Sequence, residues 1–181
     1  AIAYAFSDAT VGDQSLDWVG LQNFRDIWGD ATFQTALRNT FVFTFVSQAV
    51  VIVLSSILAL VLDSDFHGKR LVRFLVLLPW TTPIALAVIG WLWTLDSVYS
   101  PIDAIMRDLG LLGPGTHWGP GKSMLWLAKP ELAKFSVVMI HIWRTTPLAA
   151  VIVLAGLAGI PKELNEAASI DGASEIRQIF L

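Results

Sequence analysis

Twenty-two consecutive residues, Phe41 to Leu62, carry no charged side chain, and the run is bounded by Arg38 and Asp63. As an α-helix rising about 1.5 Å per residue, it is long enough to cross a hydrocarbon core of about 30 Å. Its many Val, Ile and Phe residues would favour sheet in water. Lipid reverses that preference, because a lone strand leaves its backbone polar groups without partners and a helix does not. Phe74 to Leu95 is a second uncharged run of the same length, and Phe135 to Leu157 is a third, interrupted by Arg144. The expected fold is therefore all-α, a polytopic membrane helix bundle with helices at about 37–62, 72–95 and 135–158, an outer loop at 96–133 and a polar segment at 160–178.

Composition narrows the function classes. Charged residues make up 15% of the 181 residues, against about 25% in an ordinary soluble domain, and the mean hydropathy is +0.63. A net charge of -3 argues against nucleic acid as a partner. Cysteine is absent, so there is no disulfide framework and no thiol nucleophile. His67, His117 and His141 fall in three separate segments, and no His/Asp/Glu cluster has metal-ligand spacing. Gly121-Lys122-Ser123 is not a nucleotide loop, since Thr116 stands where the earlier glycine belongs and no strand precedes it. Asp96, Asp103 and Asp108 read as solvated acids. No catalysis, metal or cofactor is expected in the chain.

Several local signals refine the picture. Asp30 suits the cap of a helix beginning at Ala31. Trp18, Phe24 and Trp28, with polar neighbours, suit a bilayer interface or act as loop anchors. Ser47, Ser55 and Ser56 suit helix packing. Lys69, Arg70 and Arg73 follow a short polar link and mark the cytoplasmic side. Pro79 and Pro83 are expected to kink or partly unwind the second helix, and Pro147 to kink the third. Trp126 and Leu127 are expected on the membrane surface. Arg144 lies thirteen residues before Leu157, roughly 20 Å along a helix. An arginine at that depth must reach the interface, pair or face water; a place beside Trp143 at the outer interface and a place in a transport cavity both stay open.

After the third run the chain turns polar. Pro161 suits a first helical position. Leu164, Ala167 and Ala168 share one face of a short helix, and Asp171-Gly172 ends it, with Asp171 able to cap a helix resuming at Ala173. A face of alanines allows close approach of another protein. Residue chemistry alone stops at a surface helix beside a bilayer.

The ordered pattern Glu166-Ala167-Ala168-Ser169-Ile170-Asp171-Gly172-Ala173, introduced by Ile160-Pro161 and Leu164, resembles the cytoplasmic coupling motif of permease subunits of binding-protein-dependent ABC importers. Gly20-Leu21-Gln22-Asn23-Phe24, Leu78-Pro79-Trp80-Thr81-Thr82-Pro83 and the stretch from His141 to Pro147 resemble patterns of the carbohydrate-importing, maltose-type branch. The resemblance implies a permease-type bundle with a short cytoplasmic coupling helix, here without the family's first helix and last two helices. It implies docking onto an ATPase through Leu164, Glu166, Ala167, Ala168, Asp171, Gly172 and Ala173. The expected transport-cavity residues are Gln48, Pro83, Trp91, Arg144, Thr145 and Pro147. Implied partners are a second permease subunit, two ATPase subunits that use ATP and Mg, an extracytoplasmic sugar-binding protein and the lipid bilayer of a bacterial or archaeal cell membrane. The cargo implied is a neutral carbohydrate or related polyol. A secondary transporter or channel using Arg144, and a non-transporting membrane assembly protein, are the other readings; uptake that needs a soluble ATPase separates the first reading from these.

Overall fold

The structure, a computed structural model, describes residues 2–10, 12, 17–116, 118, 121 and 123–174. The described secondary structure is helical: α1 (Ile2–Ala5), α2 (Gln22–Gly29), α3 (Ala31–Asp63), α4 (Lys69–Thr81), α5 (Ile84–Thr94), α6 (Pro101–Asp108), α7 (Pro130–Ala158) and α8 (Lys162–Ile170). The chain forms two compact units, residues 1–46 and 47–181. His117, Lys122 and residues 175–181, on which most of the helix expected to resume at Ala173 falls, lie outside the described residues; Ala173 and Ser174 themselves are not helical.

In the first unit, Asn23 ties the opening turn to α2 by donating its side-chain amide to the carbonyls of Ala5 at 3.1 Å and Ser7 at 2.8 Å. Phe6 stacks on Trp18 with ring centroids 5.2 Å apart. Trp18 and Trp28 themselves remain largely exposed. Asp30 caps α3 by accepting the Phe33 N–H at 2.9 Å. The backbone N–H groups of Phe33 and Thr32 also hold its carboxyl below the usual carboxylate range.

The second unit holds the second half of α3 and all of α7, and these two helices are each long and apolar enough to cross a membrane. Ile52, Leu86 and Ile152 are 62–64% exposed. In water, leaving such side chains unburied forgoes about 1.5–3 kcal/mol each; acyl chains remove that loss. On α3, Ser47, Val51, Ser55 and Ala59 recur every fourth residue as a buried stripe. Gln48, one position away, is exposed.

The expected second membrane helix is two helices. They meet at an angle of 92° around Thr82-Pro83 and count as a third span only if the bent pair is one span. Pro79 lies inside α4 without ending it. The break belongs to Pro83, whose ring pushes the preceding residue out of the helical region. Thr82 is accordingly extended, with φ -65 and ψ 128. Pro147, by contrast, is buried within an uninterrupted α7. Next to it Thr146 donates its hydroxyl to the Ile142 carbonyl at 2.7 Å.

The apolar core sits at the end of this unit, where Leu95, Leu112, Met124 and Trp126 are buried together, with Trp91, Ile102 and Met139 packed against them. Two sequence expectations fail here. Trp126 is a core residue rather than a membrane-surface one, and Asp103 is 1% exposed rather than solvated. Ser100 caps α6, accepting the Asp103 N–H at 3.3 Å. Asp103 then accepts the Met124 N–H on Oδ2 at 3.0 Å and the Trp126 indole N–H on Oδ1 at 2.8 Å. Between those donors Leu125 takes φ 55, in the left-handed region. That conformation costs a leucine about 1–3 kcal/mol, offset here by delivering two donors to one buried carboxyl. Asp96 closes the adjoining turn through the N–H groups of Tyr99 and Val98, which lower its pKa.

Candidate functional site

Two places answer to the residues singled out in the sequence. The first is α8 and its stop. Pro161 is the residue just before the helix, one position earlier than expected, with extended ψ of 137. Glu163 in the first turn favours the helix dipole. Leu164, Glu166 and Ala167 are exposed and Ala168 is half-buried, so the small-residue face of α8 is open. Asp171 stands at the C-terminal boundary of α8. Beyond it the Gly172 N–H donates to the Ser169 carbonyl at 3.1 Å and the Ala173 N–H to the Ala168 carbonyl at 2.9 Å. This pair of bonds is a Schellman stop, and it requires a left-handed residue at Gly172. Gly172 has φ +79, and a Cβ added there would meet nothing within 4 Å.

Gly172→Ala should therefore cost through backbone conformation alone, about 1–2 kcal/mol of local stability at this stop. Ser174→Ala should change it much less. Hydrogen exchange at the Gly172 and Ala173 amides checks this; equal protection in both variants would remove the role assigned to the glycine.

The second place is the contact between α4 and α7. Arg144 on α7 donates from Nη1 to the carbonyl of Thr82 at 3.2 Å, in the break between α4 and α5. Its guanidinium lies 5.6 Å from the Trp80 ring centroid, a cation–π contact. Trp143 meets Trp91 edge-on, with centroids 5.3 Å apart and planes at 82°. Beside these groups is a cavity of about 170 Å³ lined by Trp91, Leu95, Leu127, Ile140, Trp143 and Arg144, among others. Of the six expected cavity residues, Trp91 and Arg144 line it, whereas Gln48, Pro83, Thr145 and Pro147 do not. Gln48 stands on an exposed face of α3, and Pro147 is buried.

The arginine is thus half-buried, with a backbone and an aromatic partner. The Thr82 carbonyl was not legible as its acceptor, because only the break frees it from the helical ladder. Arg144→Gln should cost about 1–3 kcal/mol from one charge-assisted hydrogen bond and one stacking contact. A denaturation midpoint in detergent measures it. Unchanged stability together with reduced transport would instead assign the guanidinium to the transport path. No group of His, Asp and Glu able to hold a metal occurs among the described residues.

Comparison with known proteins bears on the whole second unit. Residues 51–181 match the family described as "Binding-protein-dependent transport system inner membrane component". The trehalose/maltose transport system permease protein MalF of Thermococcus litoralis is 32% identical over 157 residues, which are 87% of this chain and 50% of that protein. A probable ABC transporter permease protein of Brucella abortus is 32% identical over 152 residues, 84% of this chain and 50% of that one. The sulfoquinovosyl glycerol transport system permease protein SmoG of Agrobacterium fabrum is 27% identical over 175 residues, 97% of this chain and 54% of its own length. The chain spans about half the length of these relatives. A solved bacterial ABC transporter involved in the import of the acidic polysaccharide alginate shares the fold, with a TM-score of 0.78 over 99% of this chain and 57% of that one, at 20% identity. With the family match extending from Val51 to the last residue, this chain belongs to the inner-membrane components of binding-protein-dependent transport systems, ABC-transporter permease subunits related to carbohydrate import systems.

Proposed function

We propose that this chain is the core of the transmembrane subunit of an ATP-driven importer that moves a carbohydrate or related polyol by alternating access. The observation that carries the reading is α8, an exposed small-residue helix directly after a membrane-length helix and stopped by a left-handed glycine. Such a helix offers a partner a face that tolerates close backbone approach, and only Gly159, Ile160 and Pro161 separate it from α7, so a push on it is passed to that helix. Leu164, Glu166, Ala167, Ala168, Asp171, Gly172 and Ala173 are the residues proposed to meet the ATPase. ATP and Mg act in two such partner subunits, and a second permease subunit and an extracytoplasmic sugar-binding protein complete the assembly. Several relatives bear names for trehalose/maltose, maltodextrin and sulfoquinovosyl glycerol transport, which supports the cargo class.

Topology constrains the reading. For α8 to share the cytoplasmic side with the 64–68 link, the bent pair α4–α5 must make one crossing between α3 and α7. A cysteine placed at Ala167 tests the reading: it should crosslink to the ATPase in at least one nucleotide state. No crosslink in any state, in a correctly assembled importer, would end the coupling assignment. The cargo is tested separately by a binding screen on the cognate external protein followed by ATP-driven uptake in vesicles. Sugar or polyol uptake is the expected result; uptake of peptides, amino acids or metal ions alone would overturn the class.

A further inference from the structure

The basic link between α3 and α4 does more than mark a side of the membrane. Lys69 donates to the Asp63 carbonyl at 2.7 Å and lies 3.3 Å from Asp65. Arg73 donates to the Leu62 carbonyl at 2.9 Å. These two cations reach back to the last carbonyls of α3, where positive charge is favoured. The side chain of Arg70, between them, has no hydrogen bond or ion pair among the described residues. All three cations, with Phe66 and Gly68, line one hollow of about 480 Å³. The hollow lies where the apolar run of α3 ends, at Leu62, and less than two helical turns before the next one begins, at Phe74.

We propose that this hollow binds the phosphate of an anionic phospholipid in the leaflet on that side, with Arg70 as its principal ligand. A guanidinium pairs with phosphate through two parallel hydrogen bonds, and a basic recess at the end of membrane helices suits a lipid head group. Lys69 and Arg73 are fixed by their carbonyl partners, so they contribute field at little ordering cost. Phe66 supplies an apolar wall for the glycerol end of an acyl chain. Among the described residues, the acid paired into the cluster is Asp65, which has a fully solvent-exposed side chain. A solvated carboxylate competes weakly with a phosphate at this recess.

The inference rests on the proposed function only for which leaflet is involved. The test uses the assembled importer in phosphatidylcholine vesicles containing a minority of spin-labelled phosphatidylglycerol, with spin-labelled phosphatidylcholine as reference. Phosphatidylglycerol should associate preferentially, and Arg70→Gln should lower that preference about fivefold, as expected for one cation near the surface. Arg70→Lys should fall between the two, because it keeps the charge but not the paired hydrogen bonds. The proposal fails if the unaltered protein shows no preference, or if Arg70→Gln leaves the preference unchanged. Displacement of the lipid by millimolar inorganic phosphate would make free phosphate the ligand and overturn the lipid assignment. Loss of ATPase binding in Arg70→Gln with lipid preference intact would reassign the hollow to a protein contact. A cysteine at Ser64 labelled by an impermeant reagent from the outside would overturn the topology and the leaflet; labelling from the inside without lipid preference would overturn the lipid site alone.

Discussion

Replacing Asp103 with leucine is expected to unfold the segment from α6 to the start of α7 while α3 still inserts. The carboxyl group accepts two buried donors, the Met124 N–H and the Trp126 indole. Leucine leaves both without partners, at about 1–3 kcal/mol each, so the loss is about 2–6 kcal/mol. The strained turn at Leu125 then has nothing to offset it. Because Trp126 shares its core with Leu95, Leu112 and Met124, loss of its anchor reaches the end of α5 and the start of α7. Asp103→Asn should be milder, since its amide keeps one acceptor oxygen. Limited proteolysis between Gly113 and Met124 and a denaturation midpoint in detergent report the difference. Equal resistance of the leucine variant and the unaltered protein would show that the two hydrogen bonds contribute little.

Ala167→Arg should abolish ATP-driven uptake without disturbing membrane insertion. Ala167 is exposed on α8, so the larger side chain points away from the described core of this chain. In the proposed contact it would put a long charged group against a close-fitting groove. Overpacking costs about 1–3 kcal/mol, and an unpaired charge removed from water adds more. Together these should weaken ATPase association by at least about a hundredfold. Co-purification of the ATPase with the variant measures association, and vesicle uptake measures coupling. Normal uptake would place the ATPase contact elsewhere. Unchanged association with lost uptake would move the role of Ala167 from binding to transmission.

Gly172 and Asp30 show what local chemistry can reveal. A glycine after a short helix predicts a left-handed stop, and Gly172 has φ +79. An aspartate before an apolar run predicts a cap, and Asp30 accepts the Phe33 N–H. Both follow from interactions within a few residues, which the order of amino acids specifies directly. Proline chemistry was legible only in part. Pro79, Pro83 and Pro147 all remove an N–H, yet Pro83 alone interrupts its helix. Whether a proline bends, breaks or is absorbed depends on what else is available to the freed carbonyls. At Thr82 that includes Arg144, 62 residues away.

The long uncharged runs determined by themselves that this chain is helical, because in lipid a backbone must satisfy its own hydrogen bonds. The ordered motif after Ile160 likewise marked out the segment proposed to contact another subunit. Asp103 and Trp126 could not be placed that way, since an aspartate in a polar loop and a tryptophan near a membrane both have ordinary surface readings. Tertiary structure decided them by bringing together groups 23 residues apart. Once the loop folds over α6, the carboxyl and the indole are removed from water together, and each becomes the partner that makes the other's burial affordable.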